Sequence, residues 1–266
     1  MEKARMRHLV CLVSLALLVL EGIAACGGTS PPRRLPDYLG GQVVEDTTPL
    51  PPDRPIHAAL IVVPDTSAPD AAPPLPDGAL ARLTDRFQEE VSQRLPIVID
   101  TIIPAQEFHD RDIRSLVEVG RKHGVHYLLF VVASATEQEY PVTLFLGGIT
   151  HAQPGWRRDN WSLLEAALID VEAGRVLLRA EGRGWATLDR PSAPGINQWY
   201  PVIWLRPNDP ARRYWPPTYE GAPNTLRVIA MNEAAKRWVL NLQDAWIHKR
   251  QTELQAAHSH AAPPAS

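Results

Sequence analysis

His109 and Asp110 are adjacent, and an imidazole beside a carboxylate is the pair a hydrolase uses to move protons. The competing role for Asp110 is to cap the helix that begins there, leaving His109 in solvent. His123 and His126 flank Gly124 and offer two imidazoles, but a zinc site asks for a third and fourth ligand. At the carboxyl end of a helix the same side chains are favoured as cations by the dipole, with no ligand needed. His258 and His260 fall in an Ala/Pro/His tail where chelation would be adventitious. No nucleophile elbow, phosphate loop, paired-cysteine metal site or helical His-Glu-x-x-His arrangement occurs. These residues point to a non-enzymatic protein without metal or cofactor, with an envelope hydrolase using His109 and Asp110 as the alternative.

The remaining reactive group is a thiol. The chain has two cysteines, Cys11 and Cys26. Lys3, Arg5 and Arg7 precede an apolar run from Leu9 to Leu20, and Glu21-Gly22-Ile23-Ala24-Ala25-Cys26 follows. Charged, greasy, small is the order of a secretory signal peptide, and the run falls short of the ~20 residues that cross a bilayer. Ile23-Ala24-Ala25-Cys26 resembles the bacterial lipobox. The resemblance implies cleavage between Ala25 and Cys26, residues 1–25 being removed, and acyl chains on the Cys26 thiol and amine. One chain holds a protein marginally and two or more hold it firmly, so the mature protein is expected to stay on its membrane. Gly27 stands where an Asp would resemble an inner-membrane retention signal, so the outer membrane, on its periplasmic side, is the expected location.

Of 27 basic and 30 acidic side chains, residues 1–25 hold three and two, which leaves 24 against 28 and a formal charge of −4. Without a basic stripe there is no source of phosphate-neutralising charge, which excludes a nucleic-acid partner. The 26 prolines cluster, and they mark the borders of the fold. Residues 26–55 read as a Pro-rich extended tether, 56–254 as one α/β domain, and 255–266 as a disordered tail.

Within the domain, residues 189–224 form a long insertion that contains Trp199, Tyr200, Trp204, Arg212, Arg213, Tyr214, Trp215 and Tyr219. Disordered segments are poor in aromatic residues, and aromatic and Arg side chains are favoured in interface hot spots. Two readings stay open: a partner surface, or a satellite core packed on the last helix with its Trp238 and Trp246. A smaller apolar stretch, 142–149, either prolongs a strand or reaches a partner or lipid.

The elements that must position these groups are legible in outline. Residues 56–63, 97–103 and 126–133 are apolar runs of strand length, the last expected to be central. Asp77 is placed to cap a helix carrying Leu80, Leu83, Phe87 and Val91, and Asp110 or Asp112 to cap one carrying Ile113, Leu116 and Val117. Residues 161–171 and 175–188 form a hairpin around Glu172-Ala173-Gly174. Leu226, Ile229, Ala230, Ala234, Trp238, Leu242 and Trp246 make one stripe of a helix capped near Asn224 or Thr225. The expected fold is an α/β (α+β) sandwich: a mixed sheet from β-α-β-α-β plus an antiparallel hairpin, closed by a long carboxyl-terminal helix.

Ile56 to Pro64, Gly120 to Leu128 and Leu168 to Leu177 resemble the opening strand, the helix-to-strand passage and the hairpin of a periplasmic domain superfamily. Its members are the curli-secretion lipoprotein, the lipoprotein activators of penicillin-binding proteins and the amino-terminal domain of the Tol β-propeller protein. The resemblance implies a lipid-anchored binding or assembly module that meets an envelope protein. A self-assembling secretion lipoprotein is a further alternative.

Overall fold

The computed structural model describes residues 30–41, 49–51, 55–145, 152–192, 200–206 and 212–261. In chain order these form α1 (Leu35–Tyr38), β1 (Ile56–Asp65), α2 (Ala79–Arg94), β2 (Ile97–Ile102), a 3-10 turn (Ala105–Glu107), α3 (Ile113–Lys122), β3 (Tyr127–Phe145), β4 (Ala152–Asp170), β5 (Arg175–Pro191), β6 (Val202–Leu205), β7 (Arg213–Tyr214) and α4 (Ala222–Ala261). One mixed sheet runs β2-β1-β3-β4-β5-β6-β7. β1 pairs parallel with β2 and β3, and every later pair is antiparallel. This is the α/β sandwich the sequence leads one to expect, with two strands added at its edge.

β1 is apolar on both faces because both are covered. On one side α2 and α4 pack on Leu60, Leu129, Leu164 and Leu168, with Phe87 and Trp238 in contact at 4.7 Å between ring centroids. On the other side α3 and α1 pack on Ile61, Phe130, Ala167 and Ile169. α4 can lie close because β5 offers Gly182 and Gly184 to it. A Cβ on Gly184 would stand 2.0 Å from the Ala230 carbonyl oxygen, and one on Gly182 would stand 2.3 Å from that of Ala234. The helix rests directly on the strand backbone.

Several elements depart from the sequence reading. α2 is capped by Gly78 at φ +71°, not by Asp77, which lies one residue outside the helix. α4 begins at Ala222 rather than near Asn224 or Thr225; Pro223 suits a first helical turn, and the Thr225 hydroxyl donates to the Gly221 carbonyl. Residues 255–261, expected to be disordered, continue α4, since Gln255, Ala256 and Ala257 are strong helix formers. Part of the expected tether is also folded. Leu35, Tyr38 and Leu39 are buried in the α3-side core, and Leu50 is buried against α4, where its N–H donates to Glu253. Proline did not prevent this, because Pro36 sits in the first turn of α1, where its missing N–H is not needed.

β3 and β4 are 19 residues each, far longer than the runs expected at 126–133 and 161–171. The stretch at 142–145 continues β3, and 146–151 lie outside the described residues.

Candidate functional site

The amino-terminal arm is latched to the α3 side of the sheet by polar contacts set in an aromatic pocket. The Tyr38 hydroxyl donates to Asp65 Oδ2 at 2.8 Å, its ring lies 5.9 Å from Phe108 and 5.7 Å from Phe130, and the Arg111 guanidinium stands 4.6 Å from its centroid. Burial, and then the bond to Asp65, push the Tyr38 hydroxyl up to about 12. Glu165, buried on β4, accepts the backbone N–H groups of Arg34 at 2.6 Å and Leu35 at 3.1 Å. Beyond it Arg33 Nε donates to Glu181 at 2.7 Å and Arg183 bonds the Ser30 hydroxyl.

The two buried carboxylates titrate in opposite senses. Burial raises Glu165 above its ordinary 4.5, and the two N–H groups only partly offset that. Burial alone would raise Asp65 as well, but hydrogen bonds from Ser67 and Tyr38, with the Arg111 cation, hold it below its ordinary 3.8. A raised carboxyl contributes stability that is full below the unfolded value and lost as pH rises through the folded one; a lowered carboxyl does the reverse. Protection of amides 33–35 and 37–41 from hydrogen exchange should therefore rise as pH falls toward about 4.5 and drop again below about 4. Glu165→Gln should remove the rise and Asp65→Asn the drop. A profile unaltered by either change would refute the latch.

Strand alternation places a second group on the outer half of the same face. Tyr140, Arg157, Asp159, Trp161, Trp185, Thr187, Asp189 and Trp204 share it by register. Arg157 grips Asp189 through both carboxylate oxygens at 2.6 and 2.9 Å, which raises the Arg157 pKa. Tyr140 and Thr187 each donate to Asp159, at 2.8 and 2.5 Å, and Arg206 Nε donates to the Thr187 oxygen at 3.0 Å. Trp161 and Trp185 stack at 5.8 Å, and the Arg206 guanidinium lies 6.0 Å from the Trp185 centroid. Burial, and then the Arg157 cation, lower the Arg206 pKa. On the α4 side, Arg158 and Arg227 neutralise Glu137, and Arg158 with Arg190 neutralise Glu139, tying the long hairpin to the helix.

The sequence-selected residues divide. Ala25, Cys26 and Trp199 lie outside the described residues. Residues 202–205 and 213–214 became β6 and β7, because Val202, Ile203 and Leu205 have apolar surface to bury. Ile203 forms a satellite core with Leu188, Leu226 and Ala230, so the aliphatic residues rather than the rings make it. Trp238 belongs to the main core. Tyr200 bonds the Phe145 carbonyl at 3.5 Å, Tyr219 donates to the Pro191 carbonyl, and Arg212 pairs with Glu233 at 2.6 Å. Arg213 lies over Trp204 at 5.3 Å. Tyr214 and Trp215 are left 38% and 54% exposed at the last strand of the sheet among the described residues.

The candidate acid–base pair does not assemble. Asp112, not Asp110, caps α3 by accepting the Arg114 N–H, and His109 has no hydrogen-bond partner among the described residues. His123 pairs with Glu107, which Lys122 also contacts. Among the described residues no three His, Cys, Asp or Glu side chains gather as metal ligands would, and no helix is long and apolar enough to cross a membrane. A cavity of about 100 Å³ opens at the carboxyl end of β1, beside the middle of β3; Pro64, Leu75, Leu80 and Met231 wall it, and its Ser134 hydroxyl has no partner among the described residues.

Sequence reasoning missed Trp161, Trp185 and Arg206 as a group. Counting outward from the 171–174 turn puts Trp161 opposite Gly184; a bulge at Leu168/Ile169 shifts the register by one and brings in Trp185.

No family model matches this chain. No curated protein matches it either. Among solved structures it is similar to a homolog of neuraminyllactose-binding hemagglutinin from Helicobacter pylori, at 7% identity, 79% of this chain, 98% of that one and a TM-score of 0.40. It is also similar to the PelC dodecamer from Paraburkholderia phytofirmans, at 14% identity, 72% and 89% coverage and a TM-score of 0.30. A lipoprotein from Neisseria meningitidis gives 13%, 55%, 89% and 0.27. Overlays this loose transfer no role.

Proposed function

We propose that this chain is a non-enzymatic protein-binding module of the bacterial envelope, held on the periplasmic side of the outer membrane by acyl chains on Cys26. The observation that carries the binding role is the outer edge of the sheet. β7 is its last strand, and Tyr214 and Trp215 stand exposed there. Exposed aromatic rings beside an edge strand are the kind of anchor that partner proteins engage. The resemblance of residues 23–26 to a lipobox supports the anchor.

A photocrosslinking residue in place of Trp215 should capture a discrete envelope protein in intact cells, while the same residue in place of the exposed Leu240 on α4 should not. Tyr214→Ala in the same crosslinking chain should weaken capture about thirtyfold, as expected for losing about 2 kcal/mol of hot-spot contact, without changing the melting temperature. Identical adducts from both positions would end this reading.

A further inference from the structure

The docked arm crosses the sheet in one direction. Tyr38 sits at Asp65 and Phe130, Arg34 and Leu35 at Glu165 on β4, and Arg33 and Ser30 at Glu181 and Arg183 on β5. Its heading is toward β6. Ser30 lies four peptide steps from Cys26, and four extended residues reach at most about 14 Å. Two residues along β5 from Arg183, about 7 Å at the rise of a strand, stands Trp185, 37% exposed and stacked on Trp161. Beside it, Arg206 spends only Nε on the protein: its two terminal nitrogens have no hydrogen-bond partner among the described residues.

We propose that Trp161, Trp185 and Arg206 form the face this domain lays on the phospholipid headgroup layer, with the rings at the interface and the guanidinium on lipid phosphate. The inference rests on acylation of Cys26. Acyl chains buried in the bilayer keep Cys26 at its surface, and the latched arm then keeps Ser30, which Arg183 bonds, within about 14 Å of it. That reach is little more than a single helix diameter, about 10–12 Å, so a partner domain thicker than one helix does not fit between Ser30 and the lipid. The chemistry suits the position. Indole rings favour the membrane–water interface, and a guanidinium whose terminal nitrogens bond nothing among the described residues can fork onto a phosphate.

The test uses full-length acylated protein in vesicles of phosphatidylethanolamine and phosphatidylglycerol brominated on the acyl carbons nearest the headgroup. Tryptophan emission should be quenched, Trp161→Phe with Trp185→Phe should lower the quenched fraction about twofold, and Trp215→Phe should leave it unchanged. If the double variant does not fold, Arg206→Gln, which keeps both rings, carries the same readout: less quenching supports the face and equal quenching overturns it. Mass spectrometry of the sample reports acyl chains separately. Acylated protein whose quenching ignores these substitutions overturns the face and leaves the anchor standing. Protein without acyl chains overturns the anchor; the face then falls if emission is unquenched and stands if quenching at Trp185 persists.

Discussion

Gly184→Val is expected to yield no folded protein. The added Cβ would meet the Ala230 carbonyl oxygen at 2.0 Å and the Ala234 nitrogen at 2.6 Å, and both are backbone atoms of a helix that cannot yield locally. Relief requires α4 to lift from β5, and Ala230, Ala234 and Trp238, all fully buried, would lift with it. Overpacking by a methylene against side chains costs about 1–3 kcal/mol. Here the clash is with main chain, and exposing Trp238 alone approaches the ~3–5 kcal/mol of deleting such a ring. The sum rivals the whole stability of an ordinary domain, about 5–15 kcal/mol. Gly184→Ala should follow the same course to a smaller extent. Circular dichroism in buffer reports whether the Val variant folds and urea unfolding measures the Ala variant; a Val variant that folds within about 1 kcal/mol of the parent would show that helix and strand are not in contact.

Tyr38→Ala should leave the domain folded and release the arm. Removing a buried ring of this size costs about 3–5 kcal/mol, and nothing in the sheet depends on the arm for its hydrogen-bond ladder. A loss of 3 kcal/mol corresponds to roughly a hundredfold rise in opening, so amides 33–35 and 37–41 should exchange about two orders of magnitude faster while β3 and β4 keep their protection. Tyr38→Phe keeps the contacts with Phe108 and Phe130 and removes only the bond to Asp65, and about a tenfold effect is expected. Unchanged exchange in the Ala variant would mean that the ring contributes nothing to docking.

The parts of the fold that were legible are those where one residue type repeats at one spacing. The stripe from Leu226 to Trp246 and the apolar runs of β1, β2 and β3 left little choice of element. What stayed hidden depended on partners distant in sequence. β3 and β4 become polar beyond Thr136 and Trp161, where Glu137, Glu139, Arg158 and Arg190 satisfy one another across strands, and no single strand reads as buried there. β6 and β7 were concealed in a segment whose rings and prolines suggested a loop, although Val202, Ile203 and Leu205 supplied an apolar run. Leu35, Tyr38 and Leu39 did carry helical spacing, but the surrounding prolines suggested an extended chain. In the candidate site, Tyr214 and Trp215 could be selected by type alone. The Trp161–Trp185 pair could not, because its register turns on a bulge.

The placement of α4 also sets the order of events in synthesis. Ala234, Trp238 and Leu242 fill the centre of the α2-side core, yet they follow every strand of the sheet in the chain. Until they arrive, β4 and β5 have a bare greasy face and the core has no lid, so a nascent chain made amino-terminus first cannot close. Closure of that core therefore waits on an element made after the last strand, and the sheet stays pliable until the helix docks.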